Sequence, residues 1–268
     1  LHHELLELVA AGGAREFKWE KLRNAKYRGL AERLIDLSFR EAFESDLRVD
    51  VLTWNTQDDR HAQKGTDDKA NFERMLYHIL NTTLRKRTHG STWRVYPDQK
   101  LDVDWDVVDS CVSHRGKRRR DIANALFTDL FAGGPYSIET FKEVESDQAP
   151  LCQVADLFAG LACFSALRYD DYALWTDEEG PNQSLLPEKE RTESSADRFR
   201  FRVLDYFDGQ CKRYKAGVSL RRNRRLVTFN PAHPLNFWPY EPQGQYDRAP
   251  TREGQQYARV RPGKPRGG

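Results

Sequence analysis

The sequence has almost no net charge: 43 Lys and Arg stand against 41 Asp and Glu in 268 residues. That balance excludes a histone-like polycation and an equally one-sided acidic protein. No apolar run is long enough to span a bilayer and no leader pattern opens the chain, so a soluble, cytoplasmic protein with no membrane partner is expected. Cysteine is scarce and scattered. Cys111, Cys152, Cys163 and Cys211 share no zinc-site or disulfide spacing, so reduced thiols are expected. No internal repeat is present, and no base-reading motif supports sequence-specific nucleic-acid recognition.

What the chain does have is one dominant apolar stretch, residues 151–167. It is apolar on nearly every side, which predicts a helix buried in a core. Asp156 is its only carboxylate, and its helical neighbours are Cys152, Gln153, Ala159 and Gly160, so an acid sits on a face of small residues that can approach a sheet closely. A buried carboxylate is costly unless a cation, a donor or a metal meets it. Pro150 belongs in the first turn, which sets Asp156 about a turn and a half further in, beyond the reach of the helix dipole. A functional carboxylate is therefore favoured over a capped or ion-paired one.

In chain order, residues 2–9 predict a short helix stopped by Gly12 and Gly13, and residues 15–19 alternate polar and aromatic side chains as an extended segment. That alternation turns Glu16 and Lys18 the same way, which read alone is a solvated pair. Helices are predicted near 21–43, from Asp67 or Asp68 to about 86, through much of 105–132, and at 197–214. Strands are predicted near 46–56, 92–96 and 138–145. Pro97 is expected to end sheet pairing just before Asp98, a carboxylate at a strand end, where catalytic acids and ordinary turn residues are both common. Residues 169–195 are acidic and rich in breakers, which predicts an excursion. Residues 1–168 thus form the core domain. Residues 169–242 form the excursion, a helix and a C-terminal extension packed on it, and 243–268 a flexible tail unless anchored.

Glu16, Phe17, Lys18 and Trp19, the strand-end Asp98 and the element Gln153-Val-Ala-Asp156-Leu-Phe-Ala-Gly160 together resemble the DUF3800 family. Residues 217–220 and 236–238 resemble the C-terminal part of some members. The resemblance spans most of residues 14–242 and implies an α/β, RNase H-like fold, a mixed sheet flanked by helices. It also implies a carboxylate cluster that binds Mg or Mn and hydrolyses phosphodiesters, because two-metal hydrolysis needs converging acids with hard oxygen ligands. Carried over by position, Glu16, Asp98 and Asp156 are the metal ligands. Lys18 and Lys100 contact phosphate or compensate charge, and Gln153 orients Asp156. The family's opening strand with an Asp-Glu-Ser-Gly type motif is not found, so either the first strands are missing from this chain or the site is degenerate.

Four basic groups, residues 85–87, 117–120, 212–215 and 221–225, form a phosphate-tracking surface if the fold gathers them. Arg118, Arg119, Arg120, Arg221, Arg222, Arg224 and Arg225 are the nucleic-acid contacts expected from them. Each group alone reads as a solvated face. The expectation is a divalent-metal-dependent nuclease acting on DNA or RNA, in prokaryotic defence or a mobile element. The alternative is a silent RNase H-like module that binds nucleic acid or a protein partner, a second copy of the chain included.

Overall fold

A computed structural model describes residues 1–56, 67–85, 91–99, 103–126, 136–179 and 194–241, with side chains of 118–126 and 178–179 excepted. Among these residues the architecture is mixed α/β, with seven α-helices and short, mostly parallel strand pairs. The helices are α1 (His2–Ala11), α2 (Ala25–Glu44), α3 (Asp68–Leu84), α4 (Trp105–Leu126), α5 (Pro150–Leu167), α6 (Tyr169–Glu179) and α7 (Ser195–Arg213). The strands are β1 (Val49–Thr53), β2 (Ser91–Val95), β3 (Tyr136–Phe141), β4 (Val218–Ser219), β5 (Val227–Thr228) and β6 (Leu235–Pro239).

Helix starts follow local chemistry. Asn24, Asp67 and Ser194 each accept a backbone N–H from the first turn of α2, α3 and α7, and Pro150 opens α5. The main core forms where α2, α5 and α7 meet the parallel pair β1 and β6. Phe207 on α7 makes edge contacts with Phe39 of α2 at 5.5 Å and with Phe158 of α5 at 5.7 Å, while Phe237 of β6 lies 6.2 Å from Phe158. These buried rings carry a large share of the apolar surface of the main core. A second, smaller core lies between α3, α4 and the parallel pair β2 and β3. There Tyr136 passes over Gly116, where a Cβ would come within 2.7 Å of the Tyr136 carbonyl oxygen.

Several expectations change. Among the described residues the strands form three separate pairs, two parallel and one antiparallel, instead of one mixed sheet. The expected excursion after 168 opens as helix α6, because Asp170 and Asp171 suit a helix N-terminus and Tyr172 and Trp175 bury themselves against Phe201. The C-terminal aromatic stretch supplies a core strand, β6, in register with β1 from Val49↔Leu235 to Thr53↔Pro239. Helix α5 is not covered all round: Leu151, Ala155, Ala159, Cys163 and Leu167 remain exposed along one side. Contrary to the sequence expectation, α5 is long and apolar enough to span a bilayer by length and composition, but half of it is buried in the main core.

Candidate functional site

The segment before α2 runs extended along α5, and its backbone meets two side chains of the helix. Alternate N–H groups of an extended chain point one way, and helix positions three apart share a face. Phe17 N–H donates to Gln153 Oε1 at 2.6 Å and Trp19 N–H donates to Asp156 Oδ2 at 2.6 Å. The Gln153 amide in turn donates to the Ser146 carbonyl at 2.9 Å. One turn beyond Asp156, a Cβ on Gly160 would lie 2.3 Å from the Trp19 ring, so the ring rests on bare helix backbone. Phe164 meets the same ring at 5.8 Å, and the Arg200 guanidinium lies over it at 5.9 Å. The Gln153, Asp156 and Gly160 pattern is therefore a docking strip. The close approach expected on this face is made by Trp19 and not by a sheet.

The docking strip has a charged edge. Asp156 is half-buried, and burial holds its carboxyl above the usual carboxylate range. The Trp19 N–H and the Lys18 ammonium oppose that shift, and the charges of Glu20 and Asp98 add to it. Asp98 reaches this edge because the β2 and β3 pairing continues past Pro97. Val144 N–H donates to the Pro97 carbonyl at 3.0 Å and Gln99 N–H to the Val144 carbonyl at 2.9 Å, pairing Asp98 with Val144. Pro97 lacks only a donor and the ladder uses its acceptor, so the expected stop does not occur. Lys18 Nζ stands 3.5 Å from Asp98 Oδ2. Cys152 lies on the same edge, its thiol pushed up by burial and by the charge of Asp98.

Glu16 turns elsewhere. It accepts from Lys21 Nζ at 2.8 Å and from Ser146 Oγ at 3.1 Å, and chiefly the Lys21 bond holds its carboxyl below the usual range. The one-turn 3-10 helix Trp19–Lys21 brings Lys21 round to it, so Glu16 pairs with Lys21 while Lys18 faces Asp98. Sequence reasoning missed Lys21 and Ser146 because neither lies on the same strand face as Glu16. Arg15 closes the corner by donating through Nε to Asp147 at 3.0 Å. The expected three-acid cluster is accordingly not assembled: among the described residues no three His, Cys, Asp or Glu side chains lie close enough to hold a metal ion. Asp98 and Asp156 share Lys18 as a neighbour, and Glu16 stands apart from them. Gln153 secures Phe17 and Ser146, not Asp156. Lys100 lies outside the described residues, as do the side chains of Arg118, Arg119 and Arg120.

The chain is 38% identical over 240 residues to an uncharacterized protein, ORF2, of Methanothermobacter thermautotrophicus, a match covering 89% of this chain and 80% of that protein. A second uncharacterized protein of that organism, ORF2′, is 37% identical over 248 residues, with the same two coverages. The chain belongs to the ORF2 family. No family profile matches it, and no solved structure does.

The remaining expected contacts, Arg221, Arg222, Arg224 and Arg225, occupy the turn of the β4 and β5 hairpin. The root of that hairpin is tied to α5 by Leu226 N–H donating to Ser165 Oγ at 3.0 Å. Ser165 is nine positions beyond Asp156, which is about 13 Å along the helix and half a turn around it. Acids and arginines thus lie on different sides of α5. Arg224 forms an ion pair with Asp170, and Arg222 lies over the Phe229 ring at 4.9 Å.

Proposed function

We propose that this protein is a divalent-metal-dependent nuclease of RNase H-like type, which hydrolyses phosphodiesters of DNA or RNA. The observation that carries the reading is the convergence of a half-buried carboxylate, Asp156, with Asp98 and Lys18 at the carboxyl ends of a parallel strand pair. In α/β proteins that end of a parallel sheet is the usual place for ligands. With it go a cytoplasmic setting and a role in prokaryotic defence or a mobile element.

The donor set fits Mg or Mn as a pair of hard oxygen ligands, not as a three-acid cage. Mg is commonly held by one or two carboxylates, with water and substrate phosphate completing its shell. Asp98 and Asp156 would hold the ion. When bound, it supplies a lowered pKa for water and neutralises charge developing on phosphate. The chain's own residues do the rest. Trp19 N–H fixes one Asp156 oxygen and so sets the direction of the other. Lys18 carries an ammonium beside Asp98, where it can meet a phosphate oxygen. Glu16, tied to Lys21 and Ser146, holds the segment that bears Lys18.

A second reading, a silent RNase H-like module, draws on a specific observation: Glu16, Asp98 and Asp156 each already have a partner. Labelled single- and double-stranded DNA and RNA, incubated with Mg, Mn or EDTA, separate the two. Asp156→Asn keeps an oxygen for Trp19 N–H and removes only the charge, so its fold is expected to persist. Metal-dependent cutting that falls more than about a hundredfold in Asp156→Asn and in Asp98→Asn is the expected result, since even outer partners of a metal cost 10–100-fold. Wild-type protein that binds nucleic acid without cutting it in either metal is a silent module.

A further inference from the structure

From residue 209 to residue 240 the chain carries seven Lys and Arg and no Asp or Glu. Four of these cations, Arg221, Arg222, Arg224 and Arg225, lie in the turn of the β4 and β5 hairpin. Lys215, Arg221, Arg222 and Arg224 are exposed, and the turn adopts left-handed backbone at Arg224, φ 54°. Two of the arginines lie over rings. Arg222 covers Phe229 at 4.9 Å and Arg224 covers Tyr169 at 5.6 Å. Phe229 nevertheless stays 54% exposed, an apolar ring left in water beside Arg222. Among the described residues Arg221 and Arg222 have no acidic partner, whereas Arg224 has Asp170.

Burial does not explain this arrangement, and neither does ion pairing. An exposed ring that carries one stacked guanidinium, with further cations close by in the chain, is a surface on which an unpaired base can stack while the free cations follow the phosphates. We propose that the β4 and β5 hairpin is a binding platform for single-stranded nucleic acid, with a base on Phe229 and backbone phosphates at Arg221 and Arg222. Paired bases hide their faces, so a duplex can use only the cations. An acidic peptide would use the charges but leave Phe229 idle, and a lipid surface would need a larger apolar area than one ring supplies. The hairpin is tied to α5 at Ser165, about 13 Å along the helix from Asp156 and half a turn around it, so the platform does not depend on the metal reading.

The test is fluorescence anisotropy in EDTA with the full chain and labelled oligo(dT), oligo(rU) and a mixed-sequence duplex, each of about twelve units, within the span one such platform covers. Single strands are expected to bind more tightly than the duplex, and the stronger of the two homopolymers names DNA or RNA as the ligand. Phe229→Ala is expected to weaken single-strand binding about tenfold, and Phe229→Trp to retain it. Arg221→Ala with Arg222→Ala is expected to lower the slope of log K against log salt by about 1.4, roughly 0.7 for each phosphate no longer neutralised. Single-strand binding that is unchanged in Phe229→Ala and in the double arginine variant overturns the proposal. So does arginine-dependent binding to phosphatidylglycerol vesicles without binding to either oligonucleotide. Because EDTA is present throughout, failure of the nuclease reading leaves these outcomes unaffected.

Discussion

The docking corner around residues 15–21 and the β4 and β5 hairpin both concentrate charge, but they use it differently. In the corner nearly every charge has a partner within the chain: Arg15 with Asp147, Lys21 with Glu16, Lys18 with Asp98, and Asp156 with a backbone N–H. At the hairpin Arg221 and Arg222 face solvent beside an exposed ring. The corner's charges therefore spend part of their interaction on holding the chain together, whereas Arg221 and Arg222 of the hairpin have no acidic partner among the described residues and are available to a ligand. Surface cations without partners contribute little to stability, and groups that satisfy buried backbone contribute a good deal.

Filling the gap under Trp19 breaks the corner most severely. Gly160→Ala puts a carbon 2.3 Å from a ring wedged against Phe164, and relief requires the whole segment 16–19 to lift. A loss of about 2–3 kcal/mol in urea unfolding is expected, the usual scale of overpacking. Next comes Gln153→Ala, which strands the Phe17 N–H and the Ser146 carbonyl at a side chain only 1% exposed. It is expected to cost about 2 kcal/mol by the same measurement. A wild-type value in either variant would mean that the strip does not anchor the segment.

Acid titration sharpens the comparison further. The Glu16 carboxyl is depressed in the fold, so its contribution to stability is complete above the unfolded carboxylate range. It is lost as pH falls from the unfolded carboxylate range through the lower folded value. Asp156 has the opposite sign. Its raised carboxyl makes stability fall as pH rises from the unfolded value toward the folded one. Urea midpoints measured from about pH 3 to pH 6 should therefore show Glu16→Gln losing part of the acid-side dependence. An unchanged profile would deny Glu16 its ion pair. Smallest of all, Arg221→Ala with Arg222→Ala is expected to change stability by less than about 0.5 kcal/mol. A larger loss would put those arginines in the same structural class as the corner.

Much of the helical framework was legible in the chain. The Asp67 cap, the glycine stop after α1 and the apolar spacing of α2 and α7 are local signals, and the observed helices lie within a few residues of their expected places. Helix α6 was hidden because its acidic composition resembles a loop, and only Phe201, far along the chain, makes a buried site for Tyr172 and Trp175. At the candidate site, Asp156 was conspicuous as a lone acid in an apolar helix. Its contact with Trp19 N–H was not, because any backbone donor in the molecule could have met it. Glu16 was read with Lys18 by strand alternation, and a single 3-10 turn was enough to give it Lys21 instead.

The sequence by itself determined the approximate places of most of the described helices other than α6, that residues 151–167 form a core helix, and where the basic residues cluster. Those properties rest on hydrogen bonds, side-chain spacing and solvation within a few residues of each position. Only the tertiary structure decided that β6 pairs with β1 across more than 180 residues, that the Gln153 and Asp156 face receives a backbone segment, and that acids and arginines occupy different sides of α5. Each depends on which of many chemically equivalent partners the packing of the whole chain brings into contact. Long-range packing makes that choice, and no local pattern encodes it.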